Sequence, residues 1–135
     1  MSEFLISELK REIIFVKKLA VVVTTPPYSN LSVTALDYVE TALKLGVELV
    51  GVFFYQDGVI HANQQAQIAS DEFQCIQQWQ LLHQTFQLPL HLCITAAEKR
   101  GLSDEDPKNI HPDFTISGLG ELVELVNKAD RLVQF

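Results

Sequence analysis

The stretch LAVVVTTPPYSN, residues 19–30, decides the fold. It begins with a continuous apolar, β-branched run and ends where two prolines stop it. A run without polar alternation predicts a strand buried on both faces, as in a parallel sheet covered by helices. A helix is expected next, because Val33, Leu36, Val39, Ala42, Leu43 and Leu45 recur at helical spacing. Ser32 is its expected N-cap, and Gly46 ends the pattern.

Outward from this βα unit the same alternation continues. VELVGVFFY (47–55) predicts a second strand, closed by the turn signal Asp57-Gly58. VIHANQQAQIA (59–69) is polar and weakly patterned. Ser70 opens a predicted helix to about Gln87, with Cys75, Ile76, Trp79, Leu82 and Phe86 in one stripe at ~100° per residue. LHLCI (90–94) is a third strand, followed by the short helical segment TAAEKR, which Gly101 terminates. Residues 102–112 are an acidic, proline-containing loop. Residues 114–116 predict a brief fourth strand and 118–128 a helix with Leu119, Leu122, Val123 and Val126 facing in. RLVQF (131–135) is the last strand.

Strand and helix in strict alternation imply right-handed crossovers. The expected fold is therefore α/β and three-layer, a mainly parallel five-stranded sheet with helices on both faces, of flavodoxin-like type. The expected strand order is 2-1-3-4-5. Chain direction would then reverse between strands 1 and 3, and the crevice at their carboxyl ends would be lined by residues 24–30 and 93–95.

At 135 residues the chain is sized for one domain. That domain is expected over 19–135. Residues 1–18 stand apart as an N-terminal extension, with Leu5, Leu9, Ile13 and Val16 on one side of a possible helix. Hydrophobic residues at 47% and charged residues at 20% give a globular balance. No run of about 18 apolar residues exists, and the opening MSEFLISELKREIIFVKK lacks a basic start and a small-residue cleavage site. A cytoplasmic protein without membrane contact is expected. The net charge of −7 works against direct nucleic-acid binding, which needs clustered Lys and Arg.

Cys75 and Cys93 are the only cysteines, and neither belongs to a CxxC pair or a zinc-ligand set. Cys93 ends a predicted inner strand just before a short helix, whose unpaired N–H groups favour negative charge. That matters because an ordinary thiol of pKa ~8.5 is only roughly 3% ionised at pH 7, and the thiolate is the nucleophile. The bland alternative is a buried, inert cysteine. For Cys75, on the stripe facing the sheet, core packing is the better explanation than a role as resolving partner. His91 precedes Cys93 by two residues, so both side chains leave one face of the strand, and an imidazolium there could lower the thiol pKa. His61, His83 and His111 are expected to face solvent or to be satisfied locally.

SGLGEL (117–122) sets two glycines at a helix start, which could accept an anion, but it lacks the third glycine of a dinucleotide fingerprint. TTPPYSN is no P-loop. Nucleotide or flavin binding therefore rests on fold analogy alone.

The stretches LAVVVTTPPYS, ELVGVFFYQDGVIHAN, ASDEF, HLCITAAEKRG, FTISGLGEL and ADRLVQF, in this order and spacing, resemble the TusD/DsrE family of sulfur-relay subunits over residues 18–135. The resemblance implies a sulfurtransferase that carries sulfur as a persulfide on a single cysteine, aligned with Cys93, with no cofactor and no metal. It implies paralogous TusB-like and TusC-like subunits, a TusA-like donor, a TusE-like acceptor and a place in 2-thiolation of the wobble uridine of certain tRNAs. Tyr55, Asp57, Gly58, Asn63, Ser117 and Gly118 are the expected neighbours of the site. His91, Cys75 and residues 1–18 lie outside the family pattern. Three alternatives remain open: a DsrE-type subunit of sulfur oxidation, a scaffold subunit without chemistry, and a small-ligand binding module.

Overall fold

The computed structural model describes residues 17–135. The expected stripe of Leu5, Leu9, Ile13 and Val16 lies outside the described residues. Five strands, β1 (Lys18–Val23), β2 (Glu48–Phe54), β3 (Leu90–Cys93), β4 (Thr115–Ser117) and β5 (Arg131–Gln134), form one sheet. Every strand pair is parallel, and the order is β4-β3-β2-β1-β5.

This order replaces the expected 2-1-3-4-5. The first four strands are laid down side by side, and only β5 returns to the far side of β1. The arrangement follows burial. β1 and β2, with their long apolar runs, take central places, while the edges fall to the short, half-buried β4 and to the largely exposed β5. Because β2 stands between β1 and β3, residues 24–30 and 93–95 do not share a crevice. Residues Pro27, Tyr28, Ser29 and Asn30 instead line a separate hollow with Ile68, Glu72 and Phe73.

Helix α1 (Asn30–Lys44) begins earlier than expected. Its N-cap is Ser29, whose hydroxyl accepts from the Leu31 N–H at 3.2 Å. Ser32 is buried inside the first turn, with its hydroxyl 3.0 and 2.8 Å from the carbonyl oxygens of Thr25 and Pro26. Helix α2 (Cys75–Phe86) begins later than Ser70, because the preceding residues form a turn held by the Gln74 side chain, which donates to Ala69 O at 3.0 Å and Glu72 O at 3.1 Å. Cys75, Trp79 and Leu82 pack inward as expected, whereas Phe86 lies at the exposed edge. Helices α3 (Ile94–Glu98) and α4 (Leu119–Lys128) complete the set.

The weakly patterned stretch after β2 is partly a 3-10 helix, Gln56–Ala62, with Val59, His61 and Ala62 buried. Gly58 sits so close beneath β1 that a Cβ would collide with the Val23 carbonyl. That contact explains the glycine of the turn signal.

Helices cover both faces. On one, Phe54 meets Trp79 of α2 edge-on, with ring centroids 5.2 Å apart. On the other, a Cβ on Gly51 would lie 3.0 Å from Leu125 Cδ2 of α4. Leu125 is the residue of α4 that is buried. Contrary to expectation, Leu119, Val123 and Val126 are 49%, 58% and 42% exposed. One helix can turn only one stripe to a sheet, and α4 carries more apolar residues than that stripe holds.

Candidate functional site

Cys93 is the last residue of β3 and the N-cap residue of α3, at φ −70° and ψ 114°. Strand alternation puts its side chain on the α4 face, with His91. Laterally it pairs in register with Ser117 of β4. The residue is only 2% exposed, so the thiol does not stand open to solvent. It lies instead in the wall of a cavity of about 280 Å³ lined also by Tyr55, Gln56, Thr95, Ala96, Lys99, Arg100 and Leu119.

The cavity places two cations near the thiol in a chain of net charge −7. Arg100 is fixed: its Nε donates to Asp57 Oδ1 at 2.9 Å and a terminal nitrogen donates to the Ala96 carbonyl at 2.9 Å. Cationic side chains in the cavity wall complement an anionic group held there. At the rim Gln56 holds φ at 51°, a left-handed conformation unusual for a residue with a Cβ. Such strain, held in place by the surrounding structure, tends to occur at functional sites.

Of the expected neighbours, Tyr55 lines the cavity, and Ser117 adjoins Cys93 across the sheet. Gly118 is the N-cap of α4, next to the cavity residue Leu119. Asp57 contributes through Arg100. Gly58 packs under β1 rather than in the cavity. Asn63 is elsewhere: it bridges to Ile110 and lines a different, amide-rich hollow with Gln64, Gln74, Gln77, Gln80 and His111. Thr95, expected among the crevice residues 93–95, does line the cavity, whereas sequence reasoning missed Gln56, Lys99 and Arg100. The signal for the cations was in TAAEKR, where Lys99 and Arg100 lie on the helical segment directly after Cys93.

His91 is not a resident cation. Its Nδ1 lies 3.2 Å from Ser117 Oγ and its Nε2 3.7 Å from Glu121 Oε1. Burial holds its pKa below the usual 6.5, against the pull of Glu121 and with a further push from Lys128. At neutral pH the ring is therefore uncharged, and tuning of Cys93 by a standing imidazolium does not apply. Cys75 is fully buried, and burial pushes its pKa up to about 12, which makes it inert as a nucleophile. The Trp79 N–H makes no hydrogen bond of regular geometry. Its approach to the Cys75 sulfur offsets a little of that rise.

Among the described residues no group of three or more His, Cys, Asp or Glu side chains could hold a metal ion. None of the described helices is long and apolar enough to cross a membrane.

A parallel sheet ending in a lone thiol, set in a small cavity with two cations, defines an α/β protein with one candidate nucleophile. The family model of the DsrE/DsrF-like family matches residues 17–135, and the chain belongs to that family. It is 41% identical over 127 residues to "Sulfurtransferase TusD" of Klebsiella pneumoniae subsp. pneumoniae, covering 87% of this chain and 99% of the relative. To the protein of the same name from Pectobacterium carotovorum subsp. carotovorum it is 40% identical over 122 residues, covering 84% and 95%. Among solved structures, the ychN protein of E. coli superposes with a TM-score of 0.69 over 88% of this chain and 99% of that one. At 23% identity, that likeness speaks for the fold alone.

Proposed function

We propose that this chain is a sulfurtransferase subunit of the TusD type, holding sulfur as a persulfide on Cys93 and passing it on within a cytoplasmic relay that serves tRNA wobble-uridine 2-thiolation. The carrying observation is the position of Cys93, at a strand end and in a cavity with Lys99 and Arg100. The relatives named TusD, aligned over nearly their whole length, support the same reading. The relay domain is residues 19–135, with residues 1–18 as an extension outside it.

The chemistry is thiol–persulfide exchange. The Cys93 thiolate attacks the outer sulfur of a donor persulfide, R–S–SH. The new S–S bond forms as the donor's S–S bond breaks, leaving Cys93–S–SH and the donor thiolate. An acceptor thiolate then attacks the outer sulfur, carries it away and returns Cys93 as thiolate. Nothing is oxidised overall, and no cofactor takes part. A thiol this enclosed suits partners that bring their own cysteine into the cavity, with a TusA-like protein as donor and a TusE-like protein as acceptor. TusB-like and TusC-like subunits are the proposed companions in assembly.

Incubation with a persulfidated donor protein tests the proposal by mass. Wild type should gain one sulfur atom at Cys93 and lose it on addition of an acceptor thiol. Cys93→Ser should fold and gain none, since a hydroxyl is scarcely ionised at neutral pH. Uptake by folded Cys93→Ser, or none at Cys93 in wild type, would overturn the assignment.

A further inference from the structure

The cavity at Cys93 differs in charge from the two other hollows described above. Its wall carries Lys99 and Arg100, whereas the hollow at Asn63 has no lysine or arginine and the one at Tyr28 holds Glu72. No carboxylate stands among the described residues that line it. In a chain of net charge −7 this is a local inversion of sign, and a cleft lined by one sign of charge concentrates small ions of the other.

The two cations are not equivalent. Arg100 is engaged by Asp57 and by the Ala96 carbonyl, both at 2.9 Å, which fixes the guanidinium and offsets much of its charge. Lys99 has no ion-pair partner among the described residues, so its ammonium is available to an incoming anion. Tyr55, Gln56 and Thr95 add O–H and N–H donors to the same wall. Cations and neutral donors without a carboxylate suit an oxyanion, whose oxygens only accept. We infer that this cavity admits a small oxyanion bearing a sulfane sulfur, of which thiosulfate is the simplest, as a direct sulfur donor to Cys93, with Lys99 as its binding residue.

Size and chemistry agree with this donor. A cavity of about 280 Å³ has room for a tetrahedral anion, and an enclosed thiol is more readily met by a small ion than by a folded surface. The Cys93 thiolate attacks the sulfane sulfur of S–SO₃²⁻, and its electron pair forms the new S–S bond. The old S–S bond breaks with its pair leaving on sulfite. The products are Cys93–S–S⁻ and SO₃²⁻, so atoms and charge balance and no further oxidant or reductant enters. Sulfite is a weaker base than an alkyl thiolate, and the weaker base leaves faster. The ammonium of Lys99 faces charge in both the entering and the departing anion.

The inference rests on the carrier reading above for the place of the sulfur on Cys93, and its test keeps the two apart. Wild type in millimolar thiosulfate should gain one sulfur atom on the Cys93 peptide and release an equal amount of sulfite. Lys99→Gln, at an exposed position where the fold is checked by thermal unfolding, should need about tenfold more thiosulfate for the same rate. Lys99→Arg should restore most of that loss. Two alkylating reagents of nearly equal size read the same preference without sulfur chemistry. In Lys99→Gln the rate of Cys93 labelling by anionic iodoacetate should fall several-fold, while that by neutral iodoacetamide stays at the wild-type value. A wild type that loads from a protein persulfide but never from thiosulfate would overturn this inference and leave the carrier reading standing. Equal thiosulfate dependence and equal labelling in wild type and Lys99→Gln would overturn it as well. Loading from thiosulfate with none from a protein persulfide would count against the relay alone.

Discussion

The imidazole Nε2 of His61 lies 3.0 Å from the carbonyl oxygen of Thr25, while its Nδ1 is buried without a hydrogen-bond partner. A carbonyl only accepts, so the proton sits on Nε2 and Nδ1 carries a free lone pair. Ser32 Oγ, at 3.2 Å from the same nitrogen, ties this ring to α1. The 3-10 helix after β2 is thereby pinned to the end of β1. Burial is the largest influence on the ring and pushes its pKa from 6.5 down to about 4.

A depressed histidine pKa makes the protein acid-sensitive. Between pH 6.5 and about 4 the unfolded chain binds a proton at this residue that the folded chain refuses. Stability is thus full above pH 6.5 and is lost as pH falls through about 4, to the extent of ~3 kcal/mol. His61→Gln should be less stable at neutral pH, yet its urea midpoint should change less between about pH 7 and 4.5 than that of wild type. An unchanged acid slope in that variant would show that other groups set the pH dependence.

The two cysteines should separate cleanly. Cys75 packs against the sheet from α2 and its raised pKa keeps it protonated, so Cys75→Ser should accept sulfur at the wild-type rate. The cost is stability, about 1–3 kcal/mol, because the new hydroxyl is buried where a small hydrophobe was. Thermal unfolding reads the cost and mass analysis reads the loading. A folded Cys75→Ser that fails to load would mean that the second thiol takes part.

The exposed stripe Leu119, Val123 and Val126 on α4 begins at the Cys93 cavity. Exposed apolar stripes of this kind mark contact surfaces. Replacing Val123 and Val126 by Lys should leave the monomer within about 0.5 kcal/mol, since neither side chain is buried. Association with the proposed partner subunits should weaken at least ~tenfold, as read by native mass spectrometry of co-expressed subunits. Intact assembly in the double variant would place the contact on another face.

The fold was largely legible because its signals are local. The apolar run of β1, the helical spacing that follows it and the alternation to residue 135 each depend on neighbours in sequence, and they suffice for a parallel sheet with helices on both faces. Element ends were less so. Ser29 and Ser32 are both good caps by type, and only the turn at Pro26 and Pro27, which buries Ser32 against backbone carbonyls, decides between them.

Sequence alone determined the sheet class, the position of Cys93 at a strand end and the inward packing of Cys75. It could not determine strand order, because periodicity says which residues are strand and not which strands are neighbours. Tertiary structure decided that β2 separates β1 from β3, which moves residues 24–30 away from Cys93 and brings in Tyr55 and Gln56. It also decided which stripe of α4 is buried. With Leu125 docked on Gly51, the neighbouring Glu121 reaches His91 while Leu119, Val123 and Val126 face outward. The physical reason is that burial on a helix depends on what packs against it, and Gly51, His91 and Ser117 come from three separate strands.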